Sequence, residues 1–101
     1  GKLTMAKKDE TAFKEKVLKD LKYFKTAYYL KTQERSRRGV PDIIGCINGK
    51  FFALELKTNT GKLDSLQVHI LGKIRVSQGF ALVTQPSTWG EHFQIMKGYF
   101  K

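Results

Sequence analysis

Two acidic residues, Asp42 and Glu55, are the side chains whose types and spacing point most directly to chemistry. They lie on either side of Asn48-Gly49, the dipeptide most typical of a two-residue type I′ hairpin turn, and each belongs to a short apolar segment. Such a turn fixes the strand register, so we expect Asp42 directly opposite Glu55 on one face of the hairpin. Lys57 points to that face as well, because side chains alternate along a strand.

Two carboxylates facing each other across a hairpin repel, so their presence in apolar segments needs a reason. With Cβ atoms about 4.5–5.5 Å apart, their oxygens can hold one hard divalent cation such as Mg²⁺ between them. Lys57 would then reach a bound water or a phosphate. The alternative is an edge hairpin whose charges face solvent, which accounts for Lys57 but not for the embedded acids. The pattern favours the metal site.

The composition predicts one basic globular domain. The chain has 101 residues, 19 Lys and Arg against 9 Asp and Glu, and a net charge of +10. A charge excess of this size indicates a polyanionic partner, with nucleic acid the first candidate, but it does not separate an enzyme from a non-catalytic binder. A single cysteine excludes an internal disulfide and suits the cytoplasm. No apolar run approaches the roughly 20 residues of a membrane span.

The elements that must position the acids follow the order α-β-β-β-α-β-α, which predicts a mixed α/β sheet flanked by helices. Residues 1–8 are expected to be disordered, and Asp9 is a suitable N-cap for the first helix. The predicted elements are a helix to about Phe24, a strand over 27–32, the hairpin, a helix from Asp64 to before Gly79, a strand over 80–84 and a helix over 87–100.

The first helix carries one acid in line with its apolar stripe and one opposite to it. Glu10 is aligned with the stripe, whereas Glu15 lies on the Lys-rich face. Two explanations stay open for Glu10: a first-turn residue that interacts with the helix dipole, or a ligand of the metal site, directly or through water. The residues of the stripe are Phe13, Val17, Leu21 and Phe24.

Two further groups of polar residues flank the hairpin. Arg35, Arg37 and Arg38 precede Asp42, and together with Lys62 they suit phosphate contacts, although a solvated loop would look the same. Downstream, Gln67 occupies the N3 position of a capping box that begins at Asp64, and the cap alone accounts for this glutamine.

The last helix carries apolar residues at helical spacing. This pattern most simply predicts core packing. If the helix lies at the periphery, the same residues would form a dimer surface. They are Trp89, Phe93, Met96 and Phe100.

The motifs Gly39-Val40-Pro41-Asp42, Glu55-Leu56-Lys57 and Gln67 together resemble the PD-(D/E)xK nuclease superfamily, and most closely its virus-type replication-repair nuclease (VRR-NUC) domains. Those domains are short, often phage-encoded, and carry a Gly-Val-Pro-Asp strand, a Glu-x-Lys strand and a helical glutamine in this order. The resemblance extends from Glu10 to the strand ending near Thr84. It implies a restriction-endonuclease-like αβββαβ core with an added C-terminal helix.

The resemblance also implies a site. Asp42, Glu55 and the backbone carbonyl of Leu56 would bind a catalytic Mg²⁺ or Mn²⁺, with Glu10 as the first-helix glutamate of the family and Glu15 as the second choice. Lys57 would act on the attacking water and stabilise charge on the phosphate, and Gln67 would orient groups near the scissile bond.

The implied function is a metal-dependent, structure-selective DNA endonuclease. By analogy with Holliday-junction resolvases, we expect a homodimer acting on branched DNA in phage replication or repair, in the cytoplasm of a bacterial or phage-infected cell. Two alternatives stay open: a flap or nicking endonuclease that acts as a monomer, and a basic nucleic-acid-binding protein without catalysis.

Overall fold

A computed structural model of the chain describes residues 2–32 and 38–101, with side chains from residue 9 onward. It confirms the predicted mixed α/β architecture and the order of its elements. None of the described helices is both long and apolar enough to cross a membrane. The elements are α1 (Lys2–Leu21), β1 (Ala27–Lys31), β2 (Ile43–Ile47), β3 (Lys50–Leu56), α2 (Ser65–Val76), β4 (Phe80–Thr84) and α3 (Trp89–Tyr99).

The four strands form one sheet in the order β1-β2-β3-β4. The first three strands are antiparallel neighbours, whereas β4 runs parallel to β3 and is reached through the α2 crossover. A parallel connection needs such a crossover, because a tight turn can join only antiparallel strands. The consequence for the site is that α2 begins close to the end of β3, where Glu55 lies.

The β2–β3 hairpin has the register that its turn predicts. Ile44 pairs with Ala53, and the ladder runs from the turn to the pair of Ile43 with Leu54. Asn48 and Gly49 have φ values of 51° and 82°, so both central residues have the positive φ of a type I′ turn. Beyond Ile43, the same register brings Asp42 alongside the last residues of β3.

The core lies on the sheet face that α1 and α3 cover. The predicted stripe of α1 is buried there, and so are Trp89, Met96 and Phe100 at the other end of the chain, with the partly buried Phe93 packed against them. The alternative in which the α3 residues form a dimer surface is therefore wrong, because their side chains already pack into the core of the same chain. The buried core residues are Phe13, Val17, Leu21, Phe24, Ile43, Ile47, Phe52, Leu54, Trp89, Met96 and Phe100.

The first helix starts earlier than the sequence pattern predicts. It begins at Lys2, which places Asp9 inside the helix and corrects its assignment as the N-cap. Residues 2–8, predicted to be disordered, are helical in the structure. Lys, Leu, Met and Ala are good helix formers, and this segment lacks Pro and Gly, so nothing stops the helix upstream of Asp9. Glu10 consequently lies outside the first turn, and the helix-dipole explanation for it is excluded.

Candidate active site

Asp42 lies directly before β2, and its side chain continues the strand pairing. Its Oδ2 accepts a hydrogen bond from the Leu56 N–H at 2.7 Å, so a carboxylate oxygen occupies the place of the next backbone acceptor. On the other side, the Asp42 carbonyl accepts from the Thr32 N–H at 2.8 Å, and the Thr32 hydroxyl donates to the Pro41 carbonyl at 2.6 Å. Asp42 is therefore held between β1 and β3 by both its backbone and its side chain.

The segment before Asp42 requires a glycine at position 39. Its φ is +81°, and a Cβ built there would lie only 2.7 Å from Leu66 Cγ and 2.8 Å from Ile70 Cδ1. A larger residue would strain the backbone and push this segment away from α2. The glycine thus allows the segment that carries Asp42 to pack against the helix that carries Gln67.

Glu55 is the buried member of the acid pair that it forms with Asp42. The residue is only 4% exposed, although the neighbouring residues on its face of the sheet include charged groups. Burial, followed by the negative charge of Asp42, raises the pKa of Glu55 to about 8 against the partial compensation of Lys57. The Lys57 Nζ lies 3.6 Å from Glu55 Oε2. The Glu55 carboxyl therefore holds its proton more tightly than an exposed glutamate does.

Gln67 connects the start of α2 to this acid pair. Its Oε1 accepts from the Asp64 N–H at 3.0 Å, and its own N–H donates to Asp64 Oδ1 at 2.8 Å, which confirms the predicted capping box. Because the cap uses Oε1, the Nε2 group is left to donate to Glu55 Oε2 at 3.2 Å. The cap therefore orients the amide that contacts Glu55, and the two roles expected for Gln67 are compatible.

The donor set fits a hard divalent cation. Asp42 and Glu55 supply carboxylate oxygens, and the Leu56 carbonyl points to the β2 side of β3 because its own N–H already does so. Within the described part of the chain there is no cluster of three or more His, Cys, Asp or Glu side chains able to hold a metal. Mg²⁺ does not require one, since it is commonly bound by one or two carboxylates together with waters and substrate phosphates.

The acid pair opens into a groove of about 1270 Å³. Glu10 lines this groove but is exposed, and it does not join the acid pair in a three-carboxylate cluster among the described side chains. Glu15 is exposed and is not among the described residues that line the groove. The groove thus contains the glutamate that the helix-face pattern favours. Its basic residues are Lys14, Lys16, Arg38, Lys57, Lys62 and Lys97.

Two of the four predicted phosphate contacts can be located. Arg38 and Lys62 both line the groove into which the acid pair opens, as a role in phosphate binding requires. Arg35 and Arg37 lie outside the described residues.

Asp20 is a groove residue that the sequence analysis missed. Its Oδ2 accepts from the Trp89 indole N–H at 2.8 Å, and Lys16 Nζ lies 3.1 Å from the same oxygen. Burial alone would raise the pKa of Asp20, but the hydrogen bonds from Trp89 and Lys16 outweigh it and lower that pKa. The sequence does indicate that Asp20 lies beside the core, because it directly precedes Leu21 of the buried stripe.

Comparisons with known proteins give this site no family. The chain matches no family model, and a search of curated proteins found no relative. The site is therefore interpreted from its own geometry and from the motifs that it contains.

Proposed function

We propose that this protein is a Mg²⁺- or Mn²⁺-dependent endodeoxyribonuclease that hydrolyses phosphodiester bonds in branched DNA. The observation that carries the proposal is the acid pair at the end of the hairpin. A buried glutamate beside a second carboxylate, with a lysine and an oriented amide in contact with it, costs stability, and arrangements of this kind are concentrated at functional sites.

The acid pair and the Leu56 carbonyl would hold the metal ion. When bound, Mg²⁺ or Mn²⁺ acts as a Lewis acid on the phosphate and lowers the pKa of water. The raised pKa of Glu55 means that metal binding would release a proton, because a carboxylate ligand must be ionised. Glu10, which lines the same groove, suits a contact to the metal through water.

Lys57 and Gln67 supply the remaining chemistry. Lys57 Nζ stands 3.6 Å from Glu55 Oε2 and its side chain is 20% exposed, so it can reach a phosphate in the groove and stabilise charge that builds up there. Gln67 donates to Glu55 and is held by the capping box, so it orients the Glu55 carboxylate. Both residues support a reaction in which water attacks phosphorus in line with the leaving oxygen.

DNA is the substrate that the charge favours. The net charge is +10, and the groove at the acid pair contains six cationic side chains among the described residues. Phosphate contacts position a nucleic acid without reading its bases, so a groove of cationic side chains supports recognition of DNA shape, such as a four-way junction. Symmetric cleavage of a junction requires two active sites, so we propose a homodimer as the active form, in phage DNA replication or repair.

The test is cleavage of labelled four-way junction, flap and duplex DNA of matched sequence, with Mg²⁺, with Mn²⁺ and with EDTA. We expect metal-dependent cleavage, strongest on the junction, yielding 5′-phosphate and 3′-hydroxyl ends. Solution mass measured on the same preparation tests the homodimer. Preferential flap cleavage by a monomer would replace the resolvase-like assignment with that of a flap endonuclease.

A non-catalytic nucleic-acid-binding protein is the second candidate, because a charge of +10 is sufficient for binding without any reaction. It predicts that all three DNAs are bound but remain intact with either metal. In that case, replacing Glu55 would affect DNA binding only through the change in the net charge of the protein.

A further inference from the structure

A second stretch of the groove runs between α1 and α3 and is continuous with the acid pair. Residues of both helices line it: Lys14, Lys16 and Asp20 belong to α1, and Gly90 and Lys97 belong to α3. We call these five residues the α1–α3 valley. None of them belongs to the hairpin or to the Arg38–Lys62 region.

The wall that α1 contributes is long enough to follow a nucleic acid strand. Seven residues of α1 between Asp9 and Asp20 line the groove, and at 1.5 Å per residue this part of the helix is about 17 Å long. At about 3.4 Å per nucleotide along one strand, this length corresponds to about five nucleotides. A strand with one phosphate at the acid pair would therefore have several more phosphates beside the valley.

Two lysines give the valley its positive charge. Lys97 Nζ lies 4.6 Å from the centre of the Tyr23 ring and 4.7 Å from that of Phe93, which fixes the position of its ammonium group. Lys14 also lines the groove. Neither lysine forms an ion pair within residues 9–32 and 38–101, so the charge of each is available to a ligand.

The one acid of the valley is already neutralised. Asp20 accepts hydrogen bonds from Trp89 at 2.8 Å and from Lys16 at 3.2 Å. The Asp20–Lys16 pair thus contributes little net charge. Opposite this pair, Gly90 leaves the surface open, since a Cβ built there would meet no atom within 4 Å.

We propose that the α1–α3 valley binds the phosphate backbone of the nucleic acid strand on one side of the acid pair, with Lys14 and Lys97 as the contacting groups. This proposal rests on the proposed function for its substrate class. It adds a binding surface remote from the bond that is hydrolysed, and it predicts affinity for phosphates without base recognition.

The first test measures the salt dependence of DNA binding in EDTA, where no cleavage occurs. The slope of log K against log salt is negative, and each phosphate contact that is removed should reduce its magnitude by about 0.9 for duplex DNA. We expect this loss for Lys14→Ala and for Lys97→Ala, and recovery with Lys97→Arg, which keeps the charge and the ring contacts. Lys73→Ala is the matched control, because Lys73 is an exposed helical lysine away from this groove.

The second test adds a negative charge instead of removing a positive one. Gly90 and Gly72 are both helical glycines at which a Cβ would meet no atom within 4 Å, so Glu is accommodated at either position. Gly90→Glu should weaken DNA binding several-fold through repulsion in the valley. Gly72→Glu changes the net charge equally on α2 and should weaken binding much less.

The outcomes separate this proposal from the proposed nuclease activity. If the salt slope is smaller in magnitude for Lys14→Ala and Lys97→Ala and the protein cuts no DNA, phosphate binding by the valley would be supported and the nuclease activity refuted. Conversely, a protein that cuts junctions but whose slopes match that of Lys73→Ala would overturn the valley and leave the nuclease intact. Melting temperatures of all variants, measured alongside, identify any change that acts through folding.

Discussion

The two ends of the β2–β3 hairpin differ in whether their residues stabilise the fold. At the turn, Asn48 and Gly49 have the backbone conformation that their sequence favours, and Asn48 Nδ2 donates to the Phe100 carbonyl at 2.7 Å, which ties the turn to the end of α3. At the other end, Asp42 and Glu55 place two carboxyls together, and the pKa of the buried one is about 8.

This difference separates residues that stabilise the fold from residues that serve a site. At the turn end, Asn48 donates hydrogen bonds from both its backbone N–H and its side chain, and the type I′ turn alone would suffice to set the register. The acid end contains a carboxylate that loses solvation and faces a like charge, which lowers stability at neutral pH. A change at the acid end should therefore affect activity first, and a change at the turn end should affect stability alone.

The largest effect is expected from removing either acid. Asp42→Ala or Glu55→Ala removes a metal ligand, which costs several kcal/mol of transition-state stabilisation and about a thousandfold or more in cleavage rate. DNA binding should persist or strengthen, since each variant removes negative charge. Junction cleavage under single-turnover conditions measures the loss, with Glu15→Ala as the control that removes an exposed acid. Near-normal cleavage by either variant would overturn the site assignment.

Glu10 should show an intermediate effect, as a groove residue outside the acid pair. Outer-sphere partners of metal sites typically contribute about 10- to 100-fold, so Glu10→Gln should reduce cleavage by this factor. Glu15→Gln, on the same helix but not among the groove-lining residues described, should leave the rate unchanged. If Glu15→Gln proved the more damaging variant, the interpretation of the helix face would be reversed.

The raised pKa of Glu55 makes stability depend on pH. Between the ordinary value of 4.5 and about 8, the folded protein keeps a proton that the unfolded chain has released. Stability should therefore fall as pH rises through this window, with a slope of at most about 1.4 kcal/mol per pH unit. Glu55→Gln mimics the protonated form and should flatten this fall, whereas Glu15→Gln should not. Urea unfolding in EDTA at about pH 6 and about pH 8 measures the change in the free energy of unfolding. An equal change in all three proteins would show that the pKa of Glu55 is not raised.

The smallest effect is expected at the turn. Alanine tolerates a φ of 51° less well than asparagine, and Asn48→Ala also removes the hydrogen bond to the Phe100 carbonyl. Together these changes should lower the free energy of unfolding by about 1–2 kcal/mol. Asn48→Gly removes only the bond and should cost less. Cleavage per folded molecule should be unchanged in both. A large loss of cleavage in the Gly variant would show that the two ends are not independent.

Local sequence signals were sufficient for the hairpin and for the start of α2. Asn48-Gly49 admits one favourable turn type, which fixes each cross-strand pair, and Asp64 with Gln67 satisfies the first turn of α2 reciprocally. Both signals involve residues that are close in sequence, so the chain itself specifies the geometry.

The remaining features depend on contacts that no local pattern contains. Asp9 has the properties of an N-cap, but the residues before it favour a helix equally well, and the helix begins at Lys2. The bond between Trp89 and Asp20 joins residues that are far apart in sequence, and it forms only because α1 and α3 pack on the same face of the sheet. Likewise, the contact of Gln67 with Glu55 follows from the α2 crossover.

The most direct test of the acid end is a calorimetric titration of Mn²⁺ into the wild-type protein, Asp42→Ala and Glu55→Gln at about pH 7, where Glu55 still holds its proton in the absence of metal. A metal centre at the acid pair predicts a site in the wild type whose binding releases a proton, seen as a heat that varies with the ionisation enthalpy of the buffer. Both variants should lose this site while they remain folded and bind DNA. Equal Mn²⁺ binding by all three proteins would contradict a metal centre at Asp42 and Glu55.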